Sequence, residues 1–208
     1  METVWGLPRH LLDTLISPFQ GFLPVEAADS RATTLRDWGA RFEAHGEFRP
    51  RHEAEEDPSF QQIIPYVWLH HGGESLLMER LPTQGEARLH HASSIGVGGH
   101  INPEPPGPGT LLERGLDREL REEVDLREPL AAERIQLRGF INDDATAVGQ
   151  VHFGVACTVE VPTRVAIREV DKMRGEWVST ESLSSYLERM ETWSQFFVAG
   201  GPVGSGGD

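Results

Sequence analysis

Residues 96–126 read GVGGHINPEPPGPGTLLERGLDRELREEVDL, and this stretch decides how the rest of the chain is read. A double glycine runs into a Pro/Gly loop, INPEPPGPG (101–109), whose four prolines supply no ladder donors and whose glycines favour turns. The loop hands over to one clear helix. Thr110 followed by Glu113 has the form of a capping box, which starts the helix at 110. From there Leu112, Leu116, Leu120 and Val124 trace an apolar stripe. Relative to Leu112, Glu119 falls at about −20°, Glu123 at about +20° and Glu122 at about −80° on the helical wheel. Two carboxylates therefore sit at the margin of the buried stripe, where an ordinary amphipathic helix places apolar groups. Three acids at i, i+3 and i+4 repel one another. A hard divalent cation with oxygen ligands reverses that sign.

Outward from this helix, both flanks look like sheet. IIPYVWLH (63–70) and SLLMERL (75–81) form a plausible hairpin across 71–74, with Pro65 arguing that the first strand is an edge or begins after it. Residues 87–97 read as a further extended stretch. After the helix come IQLRGFI (135–141) and the long VGQVHFGVACTVEV (148–161), in which Val151, Phe153, Val155, Cys157, Val159 and Val161 alternate strictly and imply one buried face. GEWVS (175–179) is a short strand, and 180–197 reads as one amphipathic helix. Ahead of all this, residues 1–57 carry two short helical stripes, around Leu11–Ile16 and through Leu35, Trp38 and Phe42. The boundaries expected are an N-terminal extension over 1–57 packed on the main domain, a main domain over 58–199, and a flexible tail over 200–208.

The balance of 33 acids against 19 bases, a net charge of −14, repels phosphate backbones and excludes non-specific nucleic-acid binding. A small anionic substrate then needs a local basic patch or a metal ion. The single cysteine, Cys157, rules out a disulfide scaffold and fits a reducing compartment. No apolar run approaches membrane-spanning length, and METVWGLPRHLLDTL lacks the basic start and apolar run of a signal peptide. The expectation is a cytoplasmic protein with no membrane partner.

Gly-Gly, a loop, and then R-E-L-R-E-E in series resemble the Nudix box, G-x5-E-x7-R-E-U-x-E-E-x-G-U with U aliphatic. Arg118, Glu119, Leu120, Glu122, Glu123 and Leu126 match, and Gly99 is taken as the opening glycine. The resemblance extends from about residue 60 to 197. Counted from Gly99, ten residues instead of five precede the position of the first box glutamate, which falls on Thr110, with Glu104 or Glu113 as stand-ins. The glycine after E-E is Asp125, a residue that can also visit the left-handed region of a helix cap.

The resemblance implies an α/β/α Nudix sandwich with a mixed β-sheet, and Mg²⁺- or Mn²⁺-dependent hydrolysis of a diphosphate linkage, in a nucleoside diphosphate derivative or related small phosphorylated metabolite. It implies Glu119, Glu122 and Glu123 as metal ligands, joined by the backbone carbonyl of Gly98. Arg118 orients them, and Glu122 is the general base, with Glu169 as the alternative. His100, Asn102 and His152 are candidates for the substrate pocket by position. His90, His91, Arg88 and Arg138 are weaker candidates, and Trp68, Trp177 and Trp193 read as core rather than nucleobase stackers. Many relatives pair as homodimers, so a dimer is open here. Thr110 and Asp125 motivate a rival reading, a catalytically impaired ligand-binding or regulatory module. A prenyl diphosphate isomerase ranks last, because Cys157 continues an apolar alternation and is a core residue.

Overall fold

A computed structural model describes residues 1–81, 92–126, 130, 134–168, 170–171 and 173–201. The element order is β1 (Thr3–Pro8), α1 (Arg9–Leu15), β2 (Gly21–Pro24), α2 (Val25–Ala28), α3 (Leu35–Glu43), β3 (Glu47–Pro50), α4 (Arg51–Ala54), β4 (Phe60–His71), β5 (Glu74–Arg80), β6 (Ser93–Ser94), β7 (Gly96–Val97), α5 (Leu111–Glu123), β8 (Ile135–Asn142), β9 (His152–Glu160), β10 (Met173–Ser179) and α6 (Thr192–Gly200). The tail from 202, residues 82–91 and Glu169 lie outside the described residues; Arg88, His90 and His91 fall among them.

One mixed sheet in the order β10-β5-β4-β9-β8-β2 forms the middle layer. β4 and β9 run parallel, Gln62 beside His152 through His70 beside Glu160, and the other pairs are antiparallel. Helices cover both faces. On one face the alternating side chains Phe153, Val155, Cys157 and Val159 of β9 pack with Ile63, Val67 and Leu69 of β4 against Leu112, Leu116 and Leu120 of α5 and Trp38 and Phe42 of α3. On the other, Tyr66, Trp68 and Ala156 meet Leu183, Phe197 and Val198. The α/β/α sandwich follows from these two apolar faces. Among the described residues no helix is long and apolar enough to cross a membrane.

Three local expectations change. Pro65 lies inside a central strand, not at an edge. On the side of β4 facing away from β9, β1 pairs Phe60–Gln62 and β7 pairs Val67–Trp68, so Pro65 falls where the ladder opens and its missing N–H has no ladder bond to break. The single helix over 180–197 is a 3-10 segment, Thr180–Arg189, followed by α6. The break occurs because Met190 bridges to Ser93 and the Glu191 N–H donates to the Ser93 carbonyl, while the Glu191 carboxylate accepts from Tyr66 and Ser94. The prolines and glycines of 101–109 predict an exposed loop, but Ile101 is fully buried in the core and Asn102 and Glu104 are half-buried, leaving Pro103 and 105–109 exposed.

The hairpin turn is as expected. Gly72 and Gly73 take positive φ of 55° and 83°, and His70 pairs with Ser75.

Candidate functional site

The site is built on α5 and the loop before it. The capping box forms as expected: the Thr110 side chain accepts from the Glu113 N–H, and the Glu113 carboxylate accepts from the Thr110 N–H at 2.7 Å. Such a cap stabilises a helix start by about 1 kcal/mol. At the other end the Asp125 N–H donates to Ala166 O. Val124 is extended (φ −125°, ψ 147°), and Arg168 takes over the terminal carbonyls: its N–H donates to Glu123 O and its Nε to Val124 O.

The double glycine lets the backbone wedge between sheet and helix. A Cβ on Gly98 would overlap the Pro65 carbonyl oxygen, and one on Gly99 would stand 2.5 Å from Glu119 Oε2. The Gly99 backbone thereby lies against Glu119, a residue that is only 8 % exposed.

Arg118 is the hub. Its Nε donates to Glu104 Oε1 at 2.7 Å, and one terminal nitrogen pairs with Glu119 Oε1 at 2.8 Å and Glu122 Oε2 at 3.0 Å. The other donates to His100 O at 2.7 Å and Asn102 Oδ1 at 3.3 Å. Four hydrogen bonds and the Glu119 ion pair engage all three guanidinium nitrogens. Arg118, a candidate catalytic residue by its place in the box, is thereby held between Glu104, Glu119 and Glu122. Burial raises the Glu119 carboxyl above its ordinary range, opposed by Arg118 and reinforced by Glu122 and Glu104. Burial opposes the charge of Arg118, but its acidic neighbours win and hold it more firmly protonated.

Of the two stand-ins for the first box glutamate, Glu104 is the one that meets Arg118. Its side chain is 8 % exposed and grips Arg118. Counted from Gly98, the spacing to Glu104 is an intact G-x5-E, and the insertion lies after it, between Glu104 and Arg118. Thr110 is thus the helix cap and not a degraded box glutamate. Glu113 belongs to the cap and to Arg36, which it meets at 3.2 Å.

The remaining candidates separate. Glu122 is 58 % exposed at its side chain, open to a substrate. Glu123 lies in the same turn, half-buried. The Asn102 amide donates to Thr3 O at 3.0 Å and accepts from Arg118, so it shapes the loop. His100 and His152 face each other with Nε2 atoms 3.1 Å apart, and the His152 Nδ1 meets Val148 O at 2.7 Å. Burial pulls His100 down to about 4, helped by Arg51, and lowers His152 too, so both rings are neutral near pH 7. Arg138 donates to Thr158 Oγ1 at 2.8 Å. Cys157 is buried, its thiol pushed up to about 12 by burial, which removes it as a nucleophile.

The donor set is oxygen only, carboxylates and backbone carbonyls around one guanidinium, which is the chemistry a hard divalent cation takes and a soft one does not. Among the described residues no three Asp, Glu, His or Cys side chains converge as a preformed ion cage. Arg118 holds the place of positive charge among the carboxylates.

No protein-family model matches the chain. It is 38 % identical over 186 residues to Protein YmaB of Bacillus subtilis (strain 168), spanning 86 % of this chain and 87 % of that protein. The crystal structure of Tm1382, assigned to the Nudix hydrolases, superposes with a TM-score of 0.76 at 29 % identity, covering 95 % of this chain and 97 % of that one. A bifunctional NMN adenylyltransferase/ADP ribose pyrophosphatase from Francisella tularensis shares the fold, with a TM-score of 0.51 at 14 % identity over 67 % of this chain and 40 % of that one. With the box helix, the Gly98-x5-Glu104 spacing and the mixed sandwich in place, the chain belongs to the Nudix superfamily.

Proposed function

We propose that this protein is a metal-dependent hydrolase of a diphosphate linkage in a nucleoside diphosphate derivative or a related small phosphorylated metabolite. One observation carries the reading: a helix carries Glu119, Glu122 and Glu123 in its last turns, with Glu119 against the Gly99 backbone and Arg118 tying Glu119 and Glu122 to Glu104. Nudix hydrolases generally use divalent metals. Glu119, Glu122, Glu123 and the Gly98 carbonyl would hold Mg²⁺ or Mn²⁺, which when bound supplies a Lewis acid that offsets the diphosphate charge.

The chain's own residues do the rest. Arg118 keeps Glu119 and Glu122 in register against their mutual repulsion. Burial of Glu119 strengthens the electrostatics at the inner end of the site. Glu122, with one carboxylate oxygen on Arg118 and the side chain open to solvent, takes the proton from the water that attacks phosphorus. The reading includes a cytoplasmic location and the main-domain boundary at 58.

The test is a panel of diphosphate substrates incubated with Mg²⁺ or with chelator, products separated by chromatography. Metal-dependent release of a monophosphate or phosphate is expected. Tight ligand binding with no turnover of any member would favour the impaired binding module instead.

A further inference from the structure

The N-terminal segment reaches the box from two sides. β1 holds the loop: the Trp5 N–H donates to Ile101 O at 2.8 Å, and Thr3 O accepts from the Asn102 amide. α3 holds the helix: the Glu43 carboxylate accepts from the Leu111 N–H, and Arg36 pairs with Glu113 at 3.2 Å. Gly39 lets α3 approach so closely that a Cβ there would overlap the Thr110 hydroxyl.

The Leu111 N–H is one of the orphan donors of a helix first turn, which local capping leaves unmet once Thr110 takes the Glu113 N–H. Its partner comes from 68 residues earlier in the chain. The need is physical. α5 carries Glu119, Glu122 and Glu123 in its last two turns, at the negative end of the helix dipole and within repulsion distance of each other. Such loading weakens the last turns of the helix, and contacts that hold its ends offset it. Arg168 holds the C-terminal carbonyls, and Glu43 places a carboxylate at the positive N-terminal end.

We propose that Glu43 is a positioning residue for the metal-ligand set, acting through the N-terminus of α5, and that the N-terminal segment is a working part of the site. The inference rests on the reading of α5 as the ligand-bearing helix. Glu43 touches neither substrate nor ligand; it fixes the axial position of the helix that does.

The experiment compares wild type with Glu43→Ala, with Glu43→Gln, which keeps an oxygen acceptor, and with Leu183→Ala, a core truncation on the opposite sheet face that supplies a destabilised control. Mn²⁺ affinity is read by electron paramagnetic resonance of the free ion, alongside kcat and KM on a diphosphate substrate. Glu43→Ala is expected to weaken Mn²⁺ binding and lower kcat about three- to tenfold, the scale of a lost cap, with KM unchanged. Glu43→Gln should stay within about twofold of wild type, and Leu183→Ala should bind Mn²⁺ as wild type does. Equal Mn²⁺ affinity in Glu43→Ala and Leu183→Ala overturns the proposal. If wild type itself binds no Mn²⁺, the metal reading falls separately, and amide exchange over 119–123 decides the positioning claim. Faster exchange in Glu43→Ala than in Leu183→Ala upholds it; equal exchange overturns it.

Discussion

Replacing Glu104 by Ala tests which acid supports Arg118. Glu104 Oε1 receives the Arg118 Nε–H at 2.7 Å from a side chain 8 % exposed, while the Arg118 side chain is 26 % exposed. Truncating one partner of a fully buried pair costs about 3–5 kcal/mol. Arg118 keeps Glu119 and Glu122 and some access to water, so the loss falls toward the value of one charge-assisted hydrogen bond, about 1.5–3 kcal/mol. At about 2–4 °C per kcal/mol for a domain of this size, the metal-free melting temperature drops by roughly 3–12 °C. The assay is chemical and thermal unfolding of Glu104→Ala, Arg118→Ala and the double variant. The cycle should give a coupling of about 1–2 kcal/mol. The same cycle between Glu113 and Arg118, which share no partner, should close to within about 0.5 kcal/mol. Coupling at Glu113 with none at Glu104 would refute the assignment and return the insertion to the stretch before Thr110.

Three further outcomes are expected. The Cys157 thiol, pushed up to about 12 by burial, should resist alkylation in the native protein at pH 8 and react on unfolding. Burial, aided by Arg51 and opposed by the Val148 carbonyl and Glu55, lowers His152, so the unfolded chain binds its proton first. Stability contributed by the neutral ring is present above pH 6.5 and is lost as pH falls toward the folded value, and His152→Gln should flatten that slope in melts across the acid range. Gly99→Ala should weaken metal-dependent turnover, because the new Cβ lies 2.5 Å from Glu119 Oε2 and displaces that carboxylate; unchanged turnover would show that the backbone has room to yield.

Short-range signals are legible in the sequence itself. The Thr110–Glu113 box, the stripe of α5 and the period-two face of β9 depend on neighbours within a few residues, and each forms as written. What escaped depends on distant partners. Glu104 and Glu113 both stand in the sequence as substitutes for the first box glutamate, and the choice between them needs the Arg118 contact or a count from Gly98 rather than Gly99. Glu191 leaves the helical path because Tyr66 and Ser94 lie across the sheet from it, and no local propensity encodes that. Glu43 capping Leu111 is of the same kind. His100 and His152 were each placed near the pocket by position, but only the fold shows that they face one another.

The central claim is that the carboxylates of α5 hold a divalent ion. Its most direct test is a thermal melt of wild type, Glu122→Gln and Glu123→Gln, first with chelator and then with millimolar Mg²⁺ or Mn²⁺. In chelator the Glu122→Gln variant should lie close to wild type, because relief of repulsion is offset by the weakened Arg118 contact at 3.0 Å. With metal, wild type should gain stability through preferential binding to the folded state, while both variants gain much less. An equal rise in all three would contradict the claim and leave α5 a charged helix held together by Arg118.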